Sequence, residues 1–354
     1  MKRLLVDQAD ITKITLDEVE APALAPGQVR LKVKRFALTA NNVTYAATGF
    51  VIGYWHFFPS GIEGKGIVPV WGFAEAVESL SEHVAVGERF YGFFPLADEL
   101  VMTPEPQGDK VVLDVTPYRQ KLPVVYNRYT RSAEKAPEWE GFQSLLQPLL
   151  ATSYLLSDWL QDNQFFDAEQ VVVGSASSKT GLGLCKFLAE LSPRPVRVIG
   201  LTSHGNKGFV VEQSGCDAVV TYDAIETLEK RLSVYVDMAG NAEVKARLHA
   251  HLGDLLRHSS AVGTSHWDQF QPKQELAGPK PQFFFAPSQI EKRRADWGPG
   301  EIERQISEAW KRIAGEAQDW LDLREHDGLA AAKPVYEALA SGQASPRDGH
   351  VIAV

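Results

Sequence analysis

The chain has 354 residues, more than one ordinary hydrophobic core accommodates, so two domains are expected. It is 44% apolar and 23% charged, a globular composition, and its net charge of −9 argues against a nucleic-acid or anionic-membrane partner, since such partners need a basic face. Two cysteines, Cys185 and Cys216, exclude a disulfide framework or a cysteine-rich zinc lobe.

The opening residues "MKRLLVDQADITKI" lack the apolar stretch of a signal peptide, and no apolar run reaches membrane-spanning length, so a cytoplasmic protein is expected. As far as about residue 103, short alternating runs such as "QVRLKVKRFAL", "GIVPVWGFAEAVES" and "ERFYGFF", punctuated by Gly and Pro, predict a β-rich domain. Residues 104–140 read as a long irregular insertion. Its run "PYRQKLPVVYNRYTRSAEK" sets Arg119, Lys121, Arg128, Arg131 and Lys135 against a single acid, Glu134, which suits either an anionic substrate handle or a solvated loop. From about residue 143, apolar runs alternate with helical ones ("QVVVGS", "GLGLCKFLAEL", "VRVIGLTS", "SVYVDMAG", "VKARLHAHL"), the pattern of a parallel sheet covered on both faces. The segment "EIERQISEAWKRIAGEAQDWLDL" places Ile302, Ile306, Ala309, Ile313, Ala317 and Trp320 at helical spacing, predicting one long amphipathic helix. A further helix and a terminal strand, "DGHVIAV", follow. The expected domains are 1–142 (with the insertion), 143–300, and a return to the first domain over 301–354.

The stretch "VVVGSASSKTGLGLCKFLAEL", Val171–Leu191, reads as a buried strand, a small-residue turn and an amphipathic helix, an arrangement that aims backbone N–H groups at an anion. A nucleoside-triphosphate loop would need glycines where Val173 and Ser178 stand, although Asp237 at a later strand end suits a metal-binding acid. A short-chain dehydrogenase needs Tyr with Lys four residues later, and none of the ten tyrosines has it. A dinucleotide turn remains. In that fold an acid at the end of the second strand selects NAD. Here the corresponding "LTSHGNKG" has no acid and offers Thr202, Ser203 and Lys207, with Tyr222 ending the third strand. A charge-assisted bond contributes about 1.5–3 kcal/mol, so these residues favour NADP through its 2′-phosphate.

In their order and spacing, "APGQVRLKVKRFALTANN", "HVAVGERFYGF", "LLATSYLLSDWL", "QSGCDAVVTYD" and "VYVDMAGNAEVKARLHAHL" resemble the medium-chain dehydrogenase/reductase superfamily, in particular a bacterial branch of its zinc-free, quinone-oxidoreductase-like members. The resemblance implies an α/β chain with a GroES-like, β-rich catalytic domain and a Rossmann domain with a doubly wound parallel sheet. Zinc-dependent members carry a Cys and a His where Thr39 and Trp71 stand, and Asn42 replaces an acid, so no metal is expected. The family's A-x-G-G-V-G turn reads here Ala176-Ser177-Ser178-Lys179-Thr180-Gly181, which implies phosphate binding in an altered pose.

The same resemblance assigns Ser203, Lys207 and Tyr222 to the adenosine phosphate, and Ala239, Gly240, Gly263 and Thr264, at later strand ends, to the nicotinamide ribose. A substrate cleft is expected between the domains, with Tyr45, Asn42 and Thr39 as candidate donors to a developing oxyanion and Tyr54, Trp55 and Trp71 as substrate contacts. The run "FFFAP" suits a sheet edge through which a homodimer pairs. Together these features imply a zinc-independent NADPH oxidoreductase acting on a small-molecule or acyl-thioester substrate, an enone, an enoyl thioester or a quinone. A ketone reductase and a non-catalytic nucleotide sensor or scaffold are the alternatives.

Overall fold

The computed structural model describes residues 1–263 and 275–354. The chain divides into two compact units, Met1–Leu145 with Leu321–Val354, and Leu146–Trp320. The helix Glu301–Gly315 therefore belongs to the second unit and not to the return segment. It also stops earlier than the apolar spacing suggests, because Gly315 breaks it and a short turn, Ala317–Asp319, follows.

Among the described residues, the first unit holds a nine-stranded sheet and a three-stranded one. The strand Val29–Leu38 organises the larger sheet. It alternates buried Val29, Leu31 and Val33 with basic residues facing out, so its period of two fixes which face enters the core. Arg30, on the outer face, reaches Glu78 at 3.0 Å and Glu99 at 3.3 Å on the neighbouring strands. The C-terminal strand Asp348–Ala353 pairs antiparallel with Val29–Leu38 and parallel with Asp322–Asp327, which completes one side of the sheet.

The section 104–140 is not an irregular insertion. Its strands Pro104–Pro106, Val111–Asp114 and Arg128–Arg131 extend the same sheet through antiparallel pairing. Of its basic residues, Arg119 is neither solvated nor open to an anionic handle. Arg119 is fully buried, bonded to Asp114 Oδ2 (2.9 Å), the Tyr129 hydroxyl (2.8 Å), Asn127 Oδ1 (3.0 Å) and the Tyr126 carbonyl (2.8 Å). Arg131 joins Glu88 at 2.7 Å. These side chains hold the segment in place, which is why a stretch poor in apolar pattern still folds.

Among the described residues, the second unit is built on a six-stranded parallel sheet in the spatial order Ala218–Thr221, Arg197–Thr202, Gln170–Gly174, Ser233–Asp237, Leu256–Ala261, Gln282–Phe283. The chain starts in the middle, at Gln170–Gly174, winds out to one side and then returns to wind out on the other. The order reverses between Gln170–Gly174 and Ser233–Asp237, the switch point where such sheets bind ligands. Both strands are buried throughout, as a sheet covered on both faces requires. The run "FFFAPSQ" is only partly a strand: Gln282–Phe283 forms the sheet edge, and the chain then enters the helix Ala286–Trp297. Before the first strand, Gln164–Asp167 turns left-handed, with φ of 50–56°, and Phe166 stacks on His258 at 4.2 Å.

Candidate functional site

The small-residue turn links the strand Gln170–Gly174 to the helix Lys179–Ala189 at the switch point. Ser175 takes a left-handed φ of 51°, a conformation that costs a non-glycine residue about 1–2 kcal/mol. Tyr222, from the end of the third strand, bonds to Ser175, and burial raises the phenol pKa, so it remains a neutral donor. Gly181 has no room for a side chain, since a Cβ there would lie 2.4 Å from the Ser175 carbonyl oxygen. Of the glycines expected in such a turn, this is the one the close approach demands.

The two serines of the turn do different things. Ser178 caps the helix: its hydroxyl donates to the Ser175 carbonyl (2.7 Å) and accepts from the Gly181 N–H (3.1 Å). It therefore takes up a donor that a glycine would leave for a phosphate. Ser177 accepts from the Thr202 hydroxyl (3.0 Å) and from Asn206 Nδ2 (3.3 Å). With both lone pairs engaged, its own proton is left to donate elsewhere. Lys179 and Thr180 open the helix, where the first N–H groups lack intrahelical acceptors. Ser203 is half-buried and Lys207 is exposed at the start of the helix Lys207–Gln213. No carboxylate occurs between Thr202 and Lys207.

At the end of the fourth strand, Asp237 Oδ1 accepts from the Ala239 N–H (3.1 Å) and the Gly240 N–H (2.8 Å). Gly240 makes this turn with φ of 74°. Burial raises the Asp237 pKa against the pull of these two donors, and its Oδ2 is buried with no hydrogen-bond partner among the described residues. Gly263 lies against the same turn, where a Cβ would meet the Met238 carbonyl oxygen at 2.2 Å. Thr264 lies outside the described residues.

In the first unit, Thr39 and Asn42 form a reciprocal cap on the helix Ala40–Ala47. Asn42 Oδ1 accepts from the Thr39 N–H (2.8 Å), the Thr39 hydroxyl accepts from the Asn41 N–H (3.2 Å), and Asn42 Nδ2 donates to the Pro69 carbonyl (2.8 Å). Both side chains are thereby occupied in shaping the helix start. Tyr45, the third candidate donor, differs: its hydroxyl accepts from Trp71 Nε1 at 3.3 Å and keeps its own proton. Trp55 is wedged where a Cβ on Gly49 or Gly66 would stand, at 2.1 and 2.2 Å, and is a packing residue.

Tyr45 belongs to an aromatic cluster in which Tyr54 lies 4.4 Å away, Trp71 stacks on Tyr91 at 5.7 Å, and Phe93 packs 4.8 Å from Tyr126. The hydroxyls of Tyr54 and Tyr126 bond at 2.9 Å. The Tyr91 hydroxyl is buried with no hydrogen-bond partner among the described residues. Burial pushes the Tyr45, Tyr54 and Tyr91 phenols well up, so all three stay protonated and can only act as neutral hydroxyls. Tyr91, Tyr126 and Asn206 were not singled out from the sequence. The first two hide in strand and loop runs that read as packing, and Asn206 stands in the "LTSHGNKG" stretch without a charge to mark it. Among the described residues, no group of three or more His, Cys, Asp or Glu could hold a metal ion, and no helix is long and apolar enough to cross a membrane.

A β-rich unit made from both ends of the chain and a parallel sheet with this strand order define the fold of the medium-chain dehydrogenases/reductases, a GroES-like domain plus a Rossmann domain. Solved structures carry the same fold. CurA from Vibrio vulnificus, in complex with NADPH, aligns with a TM-score of 0.63 at 14% identity, covering 100% of this chain and 99% of that one. A quinone oxidoreductase from Pseudomonas syringae gives 0.58 at 14% identity, with 100% and 99% covered. A mutant enoyl thioester reductase from Candida tropicalis gives 0.56 at 10%, again with 100% and 99% covered. No curated protein matches the sequence. The family model described as "Protein of unknown function (DUF2855)" matches residues 36–345, and the chain belongs to that family.

Proposed function

We propose that this chain is a cytoplasmic, zinc-independent, NADPH-dependent oxidoreductase that reduces an activated C=C bond, in an enone or enoyl thioester, or a quinone. One observation carries the reading: a strand–turn–helix at the switch point of a parallel sheet, with hydroxyls and Lys207 in place of an acid at the second strand's end. The residues present fit a dinucleotide. Ser177 and the start of the helix Lys179–Ala189 would hold the pyrophosphate, Ser203 and Lys207 the 2′-phosphate, and Gly181 keeps the approach clear. NADPH, when bound, supplies a hydride. Tyr45 would donate a hydrogen bond to the oxygen on which negative charge develops, with Trp71 holding its hydroxyl in orientation and Tyr91 offering a second donor. A homodimer is proposed through the sheet edge at Gln282–Phe283, where Phe283 is 52% exposed.

A nucleotide-sensing reading draws on the Ser178 cap, which withdraws one N–H from the phosphate site. Calorimetry with each cofactor, together with turnover on a panel of enones and quinones, separates the two. Lys207→Ala should weaken NADPH by roughly 10- to 150-fold, equivalent to about 1.5–3 kcal/mol, and leave NADH unchanged. Lys179→Ala should weaken both. Equal losses in Lys207→Ala would mean that the 2′-phosphate sits elsewhere, and tight NADPH binding without turnover on any acceptor would favour the sensor.

A further inference from the structure

The chain's two cysteines are far apart in sequence and close in space. Cys185 lies on the inner face of the helix Lys179–Ala189 and is buried; Cys216 precedes the strand Ala218–Thr221 and is partly exposed. Their thiols lie within interaction range of each other. Independent contacts fix this placement. A Cβ on Gly215 would meet Ala189 Cβ at 2.9 Å, so the loop rests on the helix one turn beyond Cys185, on the face that carries both positions. A Cβ on Gly200, in the strand between them, would lie 3.2 Å from Cys216 Sγ, so Gly200 leaves the space into which that sulfur turns. The loop is pinned on either side of Cys216: its N–H donates to Ser214 Oγ (3.2 Å), and Asp217 bonds the Val198 N–H (2.8 Å) and Arg194 (2.8 Å).

We propose that Cys185 and Cys216 are a peroxide-oxidisable dithiol that closes to an intramolecular disulfide, tying the helix that carries the nucleotide turn to the loop entering the third strand. The roles follow from exposure and these interactions. Cys216 is the less buried of the two residues, and its interactions with Cys185 and Ser214 hold its thiol below the ordinary value, while the interaction with Cys216 and burial hold the Cys185 thiol above it. A thiolate-prone cysteine that is not fully buried, beside a second thiol, is the arrangement of an oxidisable pair. The Cys216 thiolate attacks one oxygen of a hydroperoxide. The S–O bond forms, the O–O bond breaks, and the alkoxide or hydroxide leaves with a proton. Cys185 sulfur then attacks the sulfenic sulfur: the S–S bond forms, the S–O bond breaks, and the departing hydroxide takes the Cys185 proton as water. In sum, two thiols and one hydroperoxide give a disulfide, an alcohol or water, and a further water. In a reducing compartment the pair rests as dithiol, and the disulfide is a transient, reversible state.

The test is intact-mass spectrometry and thiol titration in denaturant on the full chain, before and after equimolar hydrogen peroxide. The wild type should lose the mass of two hydrogen atoms and both titratable thiols, regain them with dithiothreitol, and stay monomeric on non-reducing gels. Cys185→Ala should instead gain one oxygen at Cys216, trapped by dimedone, and Cys216→Ala should leave Cys185 unmodified. Two thiols still titrating in peroxide-treated wild type would overturn the proposal, as would oxygen accumulating on Cys216 in the presence of Cys185, or disulfide-linked dimers. Because the wild-type measurement needs no substitution, a destabilised variant does not blunt it. It is also independent of any NADPH-linked activity.

Discussion

Among the tyrosines, hydrogen bonding and not position separates candidate donors from packing groups. Thr39, Asn42 and Tyr45 come from adjacent turns, yet only Tyr45 keeps a proton not committed to the helix cap. Tyr45→Phe retains the ring packed on Tyr54 and removes only the hydroxyl. If Tyr45 polarises the substrate oxygen, turnover should fall about 10²–10³-fold, the loss typical of one oxyanion donor, with NADPH affinity unchanged. Steady-state kinetics with a parallel NADPH titration measures this. Undiminished turnover would move the donor role to Tyr91, whose buried hydroxyl lacks a partner among the described residues. The same scale explains Arg119. A lone arginine in a basic run reads as solvated, but the acid that neutralises it, Asp114, and the amide of Asn127 converge on it only after the strands have paired.

At the scale of elements, periodicity was informative where a face is buried and silent where side chains do the holding. The parallel strands around Val172, Ile199 and Val234 read directly as buried runs, and the strand Val29–Leu38 as an alternating one. The strands within 104–140 carry charged and proline positions at the rim of the sheet, so their pattern is weak and the segment looked irregular. The small-residue turn was legible as the link between a buried strand and a helix. The division of labour between Ser177 and Ser178 was not, because it depends on which hydroxyl meets Thr202 and which meets the helix N–H. Among the described residues, the edge strand Gln282–Phe283 has no pairing strand on its outer side, and Phe283 is exposed, features that soluble proteins cover or charge. Phe283→Lys should convert a dimer to a monomer in light scattering with the melting temperature little changed. A wild type that is monomeric at every concentration would remove the edge from the assembly.

At the scale of the whole molecule, two histidines among the described residues are expected to couple stability to pH. His249 is fully buried between the Ala277 carbonyl (2.8 Å) and the Ser259 hydroxyl (2.9 Å), and His258 is stacked on Phe166; burial holds both below the ordinary histidine value. In the unfolded chain they take up protons near about pH 6.5, whereas the fold keeps them neutral until lower pH. Their contribution is thus fully present above about pH 6.5 and is lost as pH falls through the folded values. Urea denaturation between pH 8 and pH 5 should show stability falling on the acid side, and His249→Gln should flatten that fall; an unchanged slope in the variant would assign the proton uptake elsewhere. The discontinuous first unit has a consequence of another kind, for synthesis. The strand Val29–Leu38 is translated before the second unit, but its partner Asp348–Ala353 only after the whole of it. The second unit is free to fold while the chain is still growing, and Val29, Leu31 and Phe36 then wait with one side of their sheet unfinished. Nascent chains halted before Leu321 should therefore be protease-resistant in the parallel-sheet unit and chaperone-bound in the β-rich one, with release timed by the arrival of the strand Asp348–Ala353.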